Sequence, residues 1–491
     1  MSVHIDCDVV VVGSGAGGGP AASELARAGL DVVVLEMGDK HDPKTFTQRE
    51  EDMFPRLFQD AASRTTADRS IQVLQGKGVG GSTVHNLNLC KRVDDELLDV
   101  WEREHGLPGL RMALAPHYAV VEQRIEVSEV PWDRVTRNNR LLRVGAEALG
   151  WKHGPLKHNR KGCIGSGFCE LGCAYDAKMN SARVFLPDAE LHGARVLPGH
   201  RVTRVTTALG RATGVVGEGP TGEFSVRARG VVLSASATGS SAIVLASGLP
   251  DPWRQAGRGL HLHPGATVGG VFPDPVDGWK GIPQSWECTE FLHPTDPDRR
   301  VWLVPVFGHP VGVGSMLPGI GASATKRMAS FRHIAAMTPM LHDTSVGRIE
   351  ATRDARPIIQ YQSNEADLRM MAKGMMGAAR ILLAAGATEV LIPTSRPRII
   401  TAHDQAKALA NVALGPLDPP LAAVHPMGGL CMGGDPKRSS CDATGLYHQL
   451  PNLWVADGSL FPTSTGVPPQ LSIYAFGHLV GQAAAAALEN K

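Results

Sequence analysis

The apolar run Asp8-Val9-Val10-Val11-Val12 is followed at once by Gly13-Ser14-Gly15-Ala16-Gly17-Gly18, and then by a helical stretch from Ala21 to Ala28. The valines favour a buried strand, and the glycines after them allow a tight turn that no side chain obstructs. Gly13 permits the turn, Gly15 lets the backbone reach a pyrophosphate, and Gly18 lets the helix lie close on the strand. The helix amino terminus then faces the phosphate charge. A second strand, Asp31 to Leu35, ends at Glu36, where a carboxylate accepts hydrogen bonds from ribose hydroxyls. The first forty residues therefore predict a Rossmann-like α/β fold around the ADP half of a dinucleotide. They do not separate FAD from NAD.

Composition excludes more than it selects. Lys plus Arg total 49 against 48 for Asp plus Glu, so no charge excess points to nucleic acid or an anionic membrane. The 491 residues suffice for two or three domains. No run of eighteen apolar residues occurs. The apolar tail Leu471 to Leu488 is broken by Tyr474, Gly477, His478 and Gln482, which reads as a docked helix and not as a transmembrane segment. Met1 to Val12 passes straight into a strand with no basic start or cleavage site, so a cytoplasmic chain is expected. Its 8 cysteines are accordingly read as thiols or metal ligands and not as disulfides.

Three later segments narrow the choice. Gly76-Lys77-Gly78-Val79-Gly80-Gly81-Ser82-Thr83-Val84-His85-Asn86 offers bare backbone on which a planar ring can lie. Val231 to Ser240, which includes Ala235, follows a β-rich stretch from Val202 to Val216. The third is His425-Pro426-Met427-Gly428-Gly429, then Asn452 to Ser459 with Asp457-Gly458, then Phe461 to Ile473. In order and separation these segments and the first resemble the glucose-methanol-choline (GMC) oxidoreductase family along nearly the whole chain.

The resemblance implies an FAD enzyme acting on a CH–OH group. It gives cofactor contacts to Gly13, Ser14, Gly15, Ala16, Gly18 and Glu36, and to Gly78, Gly80, Gly81, Ser82 and Asn86 of the flavin loop. It adds Val202 on the adenine side, Ala235, and the Asp457-Gly458 pair beside the ribityl chain. It implies a discontinuous FAD domain of residues 1–264 and 420–491, and an α+β substrate domain of residues 265–419 built on an antiparallel sheet. In that middle segment Thr267 to Phe272, Val301 to Phe307, Ser345 to Ala351 and Ile358 to Gln362 read as strands, and Asp367 to Ala385 as a helix.

By the same resemblance His425 is the base that takes the hydroxyl proton while the carbinol carbon gives hydride to flavin N5. Imidazole suits this task because its ordinary pKa lies near working pH. The family's second polar residue aligns with Pro468, and proline offers no donor. Gln470, Thr465 or a residue of the middle segment then supplies the missing hydrogen bond, or the chemistry has moved to a lyase-type use of the fold without net redox change. His261 and His263 match a family segment leading out of the FAD domain and are read as structural.

Cys163, Cys169 and Cys173 stand together in a Gly-rich loop, residues 161–175. Their spacing is not that of a zinc knuckle. The loop resembles that of bacterial GMC sugar dehydrogenases, in which three cysteines hold a [3Fe-4S] cluster; long-chain alcohol oxidases of the family carry a similar loop. The resemblance thus implies a dehydrogenase feeding an electron-acceptor protein through a cluster, with structural thiols and an oxygen-using oxidase as the alternative. Cys7, Cys90, Cys288, Cys431 and Cys441 are scattered and are assigned core or surface roles. A middle segment rich in Met, Val, Ile and Pro, with few sugar-binding aromatics, suggests an apolar alcohol.

Overall fold

The computed structural model describes residues 3–317, 319–394, 398–415 and 417–489. The valine run lies at the middle of a seven-stranded sheet. Val3–Val12 runs parallel to Val32–Leu35 on one side and to Gly222–Leu233 on the other. Arg195–Leu197 and Leu453–Val455 extend the parallel part, and Arg211–Gly219 and Arg201–Ala208 continue it as an antiparallel meander. Val9 to Val11 and Val32 to Val34 are fully buried. A strand covered on both faces has no polar side to show, which is why these runs do not alternate.

Helix Gly18–Arg27 packs against Ser181–Leu191 and against the carboxy-terminal helix Gln470–Glu489. Glycine makes both contacts close. A Cβ on Gly19 would stand 2.0 Å from the Ser181 hydroxyl oxygen, and one on Gly477 2.3 Å from the Gly17 carbonyl oxygen. Gln470–Glu489 is, by length and composition, apolar enough to cross a membrane, but 72% of its most apolar stretch is buried inside the fold. Here it is a docked core helix.

The second large sheet is antiparallel throughout. Its order is Arg398–Ile400, Glu389–Ile392, Val268–Val271, Ile334–Leu341, Val301–Pro305, Trp286–Cys288 and His153–Pro155. Helix Glu365–Ala384 covers one face, with Met371, Met375 and Leu382 joining a core that includes Val268, Leu303, Ala335 and Met337. Strand alternation turns Trp302, Val304 and Met340 to the other face, where they meet Leu89 and Leu156. Leu89 follows the glycine loop closely, so this face looks toward the dinucleotide half.

The chain is therefore an α/β protein with a Rossmann-like domain and an interleaved part on an antiparallel sheet. Two of the expected strands join that sheet, as Val268–Val271 and Val301–Pro305. The other two form, as Gly347–Ala351 and Pro357–Gln360, but pair with each other, and the first also with Arg258–Leu260, in a separate three-stranded sheet. The expected helix runs from Glu365 to Ala384, capped by the Asn364 side chain, which accepts from the Asp367 amide at 2.8 Å.

Candidate active site

The Gly13–Gly18 turn and the loop of residues 76–86 meet at Glu36. Its carboxylate accepts from the Ser14 hydroxyl at 2.6 Å and the Ser14 amide at 3.3 Å, and from the amides of Gly38 at 3.0 Å and Gly78 at 3.1 Å. Ser14 Oγ in turn accepts from the Gly80 amide at 2.9 Å. Burial raises the Glu36 carboxyl above its ordinary pKa, and these bonds oppose the rise. Glu36 thus joins the fingerprint turn to the flavin loop.

The backbones are bare where a pyrophosphate would lie. A Cβ on Gly15 would find only Gly81 within 4 Å, at 3.9 Å, whereas one on Gly13, at φ +99°, would stand 2.2 Å from the Ser234 oxygen. The helix Gly18–Arg27 has no side-chain cap and no acid in its first turn, so the positive end of its dipole is left to an anion. These residues fit a dinucleotide. Ala16 is half-buried at the turn, and Ala235 stands beside Gly13 with its amide on Ser240 Oγ at 2.9 Å. The His200 amide donates to the Glu36 carbonyl at 2.8 Å, which places Val202 two residues past that contact. Ser82 is exposed, its hydroxyl accepting from the Gly76 amide at 2.8 Å.

Asp457 is buried and accepts from Ser240 Oγ at 2.5 Å and from the Ser459 amide at 2.9 Å. Burial raises its pKa against these bonds. The next residue ties the cofactor side to His425: the Gly428 amide donates to the Gly458 carbonyl at 2.8 Å, and a Cβ on Gly458 would lie 3.3 Å from the Pro426 oxygen.

His425 is half-buried, and its Nδ1 stands 3.0 Å from Nδ1 of His263. Burial first, and His263 second, hold His425 well below the usual histidine pKa. It is neutral at pH 7 and ready to accept a proton. Pro468 is buried in the loop that follows Gly466. Neither of its polar neighbours in sequence is free to replace the missing donor. Gln470 gives its amide protons to Leu89 O at 3.0 Å and Asn159 Oδ1 at 3.3 Å, and its oxygen accepts from Asn86. The Thr465 hydroxyl donates to Val467 O at 2.7 Å.

The three clustered cysteines line one small cavity with Asn88, Arg160 and Lys178. The Gly165 amide lies 3.4 Å from Cys163 Sγ, the Ala177 amide 3.3 Å from Cys173 Sγ, and the Asn88 amide nitrogen 3.8 Å from Cys169 Sγ. Such donors suit a sulfur-bound group. Among the described residues, however, no three His, Cys, Asp or Glu side chains close into a metal-ligand set. Lys178, which the sequence reading missed, is buried here. It donates to Val84 O at 2.9 Å, Asn86 O at 2.6 Å and Cys169 O at 2.9 Å, binding the cysteine loop to the flavin loop. No local pattern marks it, because its three acceptors are backbone carbonyls from two separate loops.

An apolar cavity opens on the dinucleotide-facing side of the antiparallel sheet. Gly269, Ile334, Ala336, Leu391, Val306 and Phe331 line it, and it holds about 590 Å³, its solvent mouth included. Phe168 of the cysteine loop stacks on His309, with ring centroids 4.9 Å apart, next to the Val306 side of this cavity.

Comparison with known proteins agrees with this geometry. Residues 8–46 match the FAD binding domain model. The solved pyridoxine 4-oxidase from Mesorbium loti superposes with a TM-score of 0.73 at 18% identity, covering 97% of this chain and 99% of that one. A formate oxidase of Aspergillus oryzae gives 0.74 at 16% identity over the full length of both chains. A GMC-type oxidoreductase of Mycobacterium tuberculosis, called uncharacterized, is 36% identical over 95% of this chain and 74% of its own length. A long-chain-alcohol oxidase of Arabidopsis thaliana is 28% identical over 98% of this chain and 68% of its own. The GMC oxidoreductase models themselves match residues 54–265 and 343–477, and the chain is an FAD-dependent oxidoreductase that belongs to this family.

Proposed function

We propose that the enzyme oxidises an apolar alcohol, with His425 as the base that accepts the hydroxyl proton. The observation that carries this reading is a neutral histidine hydrogen-bonded through its own loop to the Asp457-Gly458 turn, with Nε2 making no hydrogen bond among the described residues. FAD, when bound, supplies the hydride acceptor. The chain's part is to hold the alcohol against that acceptor, exclude water and take the proton at Nε2. The cavity lined by Ile334, Leu391 and Phe331 supports an apolar substrate body, as does the likeness to long-chain-alcohol oxidases. Anaerobic mixing with aliphatic and cyclic alcohols should bleach the flavin. His425→Ala should slow that bleaching by roughly two to four orders of magnitude. A flavin that stays oxidised with every alcohol while product forms would favour the lyase reading and sink this one.

A second reading concerns where the electrons leave. Relatives called oxidases support oxygen as the acceptor, so turnover in air should release peroxide. The shared cavity of Cys163, Cys169 and Cys173 supports a [3Fe-4S] cluster instead, which would supply single-electron transfer to a protein partner. Iron and acid-labile sulfide in anaerobically purified protein would establish the cluster. Their joint absence leaves three structural thiols and the oxidase.

A further inference from the structure

We propose that His263 is the positioning residue for His425: it accepts the His425 Nδ1 proton and so leaves Nε2 as the nitrogen that takes the proton from substrate. This rests on His425 being the base, as argued above.

The two histidines are brought together by backbone pairing. His261 and Met427 form an antiparallel bridge, the His261 amide on Met427 O at 2.8 Å and the Met427 amide on His261 O at 2.9 Å. Two residues along each strand, in opposite directions, His263 and His425 stand opposite each other, ring centroids 5.0 Å apart. His263 adopts φ +52°, a left-handed conformation rare for a side chain of this size. The buried Asp343 holds the bend, accepting from the Leu262 amide at 3.0 Å and the His263 amide at 3.1 Å. The backbone is turned where the ring has to point.

Two imidazole nitrogens 3.0 Å apart share one proton, so one ring donates and the other accepts. With Nδ1 engaged, only Nε2 of His425 is left to meet a hydroxyl. For Nε2 to be a base, the His425 proton must sit on Nδ1, and His263 must be a neutral acceptor. Burial keeps it so, pushing His263 down to about 4. In this tautomer the single N–H proton of neutral His263 is on Nε2, which is buried without a partner among the described residues.

Burial opposes the Asp343 charge, but the His261 ring 3.6 Å away and the Tyr361 hydroxyl, which donates at 2.7 Å, outweigh it and hold the carboxyl far below the usual range. When the substrate O–H bond breaks and an N–H bond forms at His425 Nε2, the new positive charge stands one ring away from this carboxylate. Of the other titratable groups around the pair, His342 acts on His263 and lowers it further. His342 contacts Ser464 O through Nε2 at 3.0 Å, and Arg300 pairs with Asp367 at 2.6 Å. Since Gln470 and Thr465 are both engaged and Pro468 has no donor, His263 is the polar side chain that meets the base.

The test uses FAD-loaded enzyme and 1-octanol or cyclohexanol in anaerobic stopped flow. His263→Ala should lower the limiting rate of flavin reduction roughly 10- to 100-fold while substrate affinity changes little. It should also move the acid limb of the rate profile to lower pH, because above about pH 4 His263 is neutral and gives the protonated His425 an acceptor and not a repelling charge. His263→Asn, whose amide oxygen sits near the Nδ1 position, should restore most of the rate. If both variants lose FAD and stability equally and the acid limb does not move, His263 is only structural and the proposal fails. Nitrogen NMR of histidine-labelled, substrate-free protein decides without turnover. His425 should carry its proton on Nδ1 in the parent and lose that preference in His263→Ala. A parent His425 protonated on Nε2 overturns the proposal. A parent flavin that no alcohol reduces would instead remove the alcohol reading and leave the NMR result to decide the pairing.

Discussion

Removing the Glu36 carboxylate strands the donors that it gathers from three segments. In Glu36→Ala the amides of Gly38 and Gly78 and both donors of Ser14 lose their acceptor in a buried place. Each such group costs about 1–3 kcal/mol, so a loss of roughly 3 kcal/mol or more is expected in urea unfolding. Purified Glu36→Ala should also carry little FAD; full occupancy would show that the joint between turn and loop is dispensable. Glu36 and His425 were both legible in the sequence because each sits at a fixed offset from glycines that have one physical use. His263 and Lys178 were not. Their partners lie on other strands and loops far along the chain, and a histidine or lysine alone does not announce a backbone bridge or a carbonyl cage.

Elements were legible where local composition and final burial agree. Val9 to Val12 and Val32 to Leu35 could be little else but buried strands. Ile334–Leu341, a central strand of the antiparallel sheet, went unread because Ala335, Ala336, Met337 and Pro339 show neither alternation nor β-branching. Its place is set by neighbours on both sides, Val268–Val271 and Val301–Pro305. The strands near 347 and 358 were readable, but the sheet that each joins is not encoded locally. At this scale the contact of the carboxy-terminal helix with the fingerprint turn is the one to break. Gly477→Ala places a methyl 2.3 Å from the Gly17 oxygen, backbone that cannot rotate aside. The helix must shift, and Gly17 shifts with it. Far-UV circular dichroism should stay near that of the parent while FAD content and thermal midpoint fall; unchanged FAD content would mean that the turn tolerates the shift.

Across the whole molecule, buried histidines make stability depend on pH. Burial lowers His85 and His158 from 6.5 to about 3, and His117 and His263 to about 4. Unfolding returns all four to their ordinary value, so between about pH 6.5 and pH 4 the unfolded chain binds more protons than the folded one. Stability therefore rises with pH across that window and is lost on acidification. Glu170, raised by burial to about 8, acts in the opposite sense: the folded chain holds its proton between about 4.5 and 8, and that contribution is lost as pH rises. Glu36 and Asp457, raised by burial, act with Glu170, but His425, His342, His309, His105 and His41 are lowered as well, and the histidines prevail. With FAD in excess, the thermal midpoint should fall steadily from pH 7 to pH 4.5; a flat or rising midpoint would contradict the buried, neutral state of these rings.

The sheet under the cofactor takes Val3–Val12 from the start of the chain and Leu453–Val455 from near its finish, and Gly17 has no room even for a methyl beside Ala456. On the ribosome the glycine turn is made first and stays unfinished until Leu453 and the helix behind it have emerged. A chain released before Leu453 lacks that strand and helix and should not retain the yellow cofactor. Colour should then separate chains that have passed this point from those that have not.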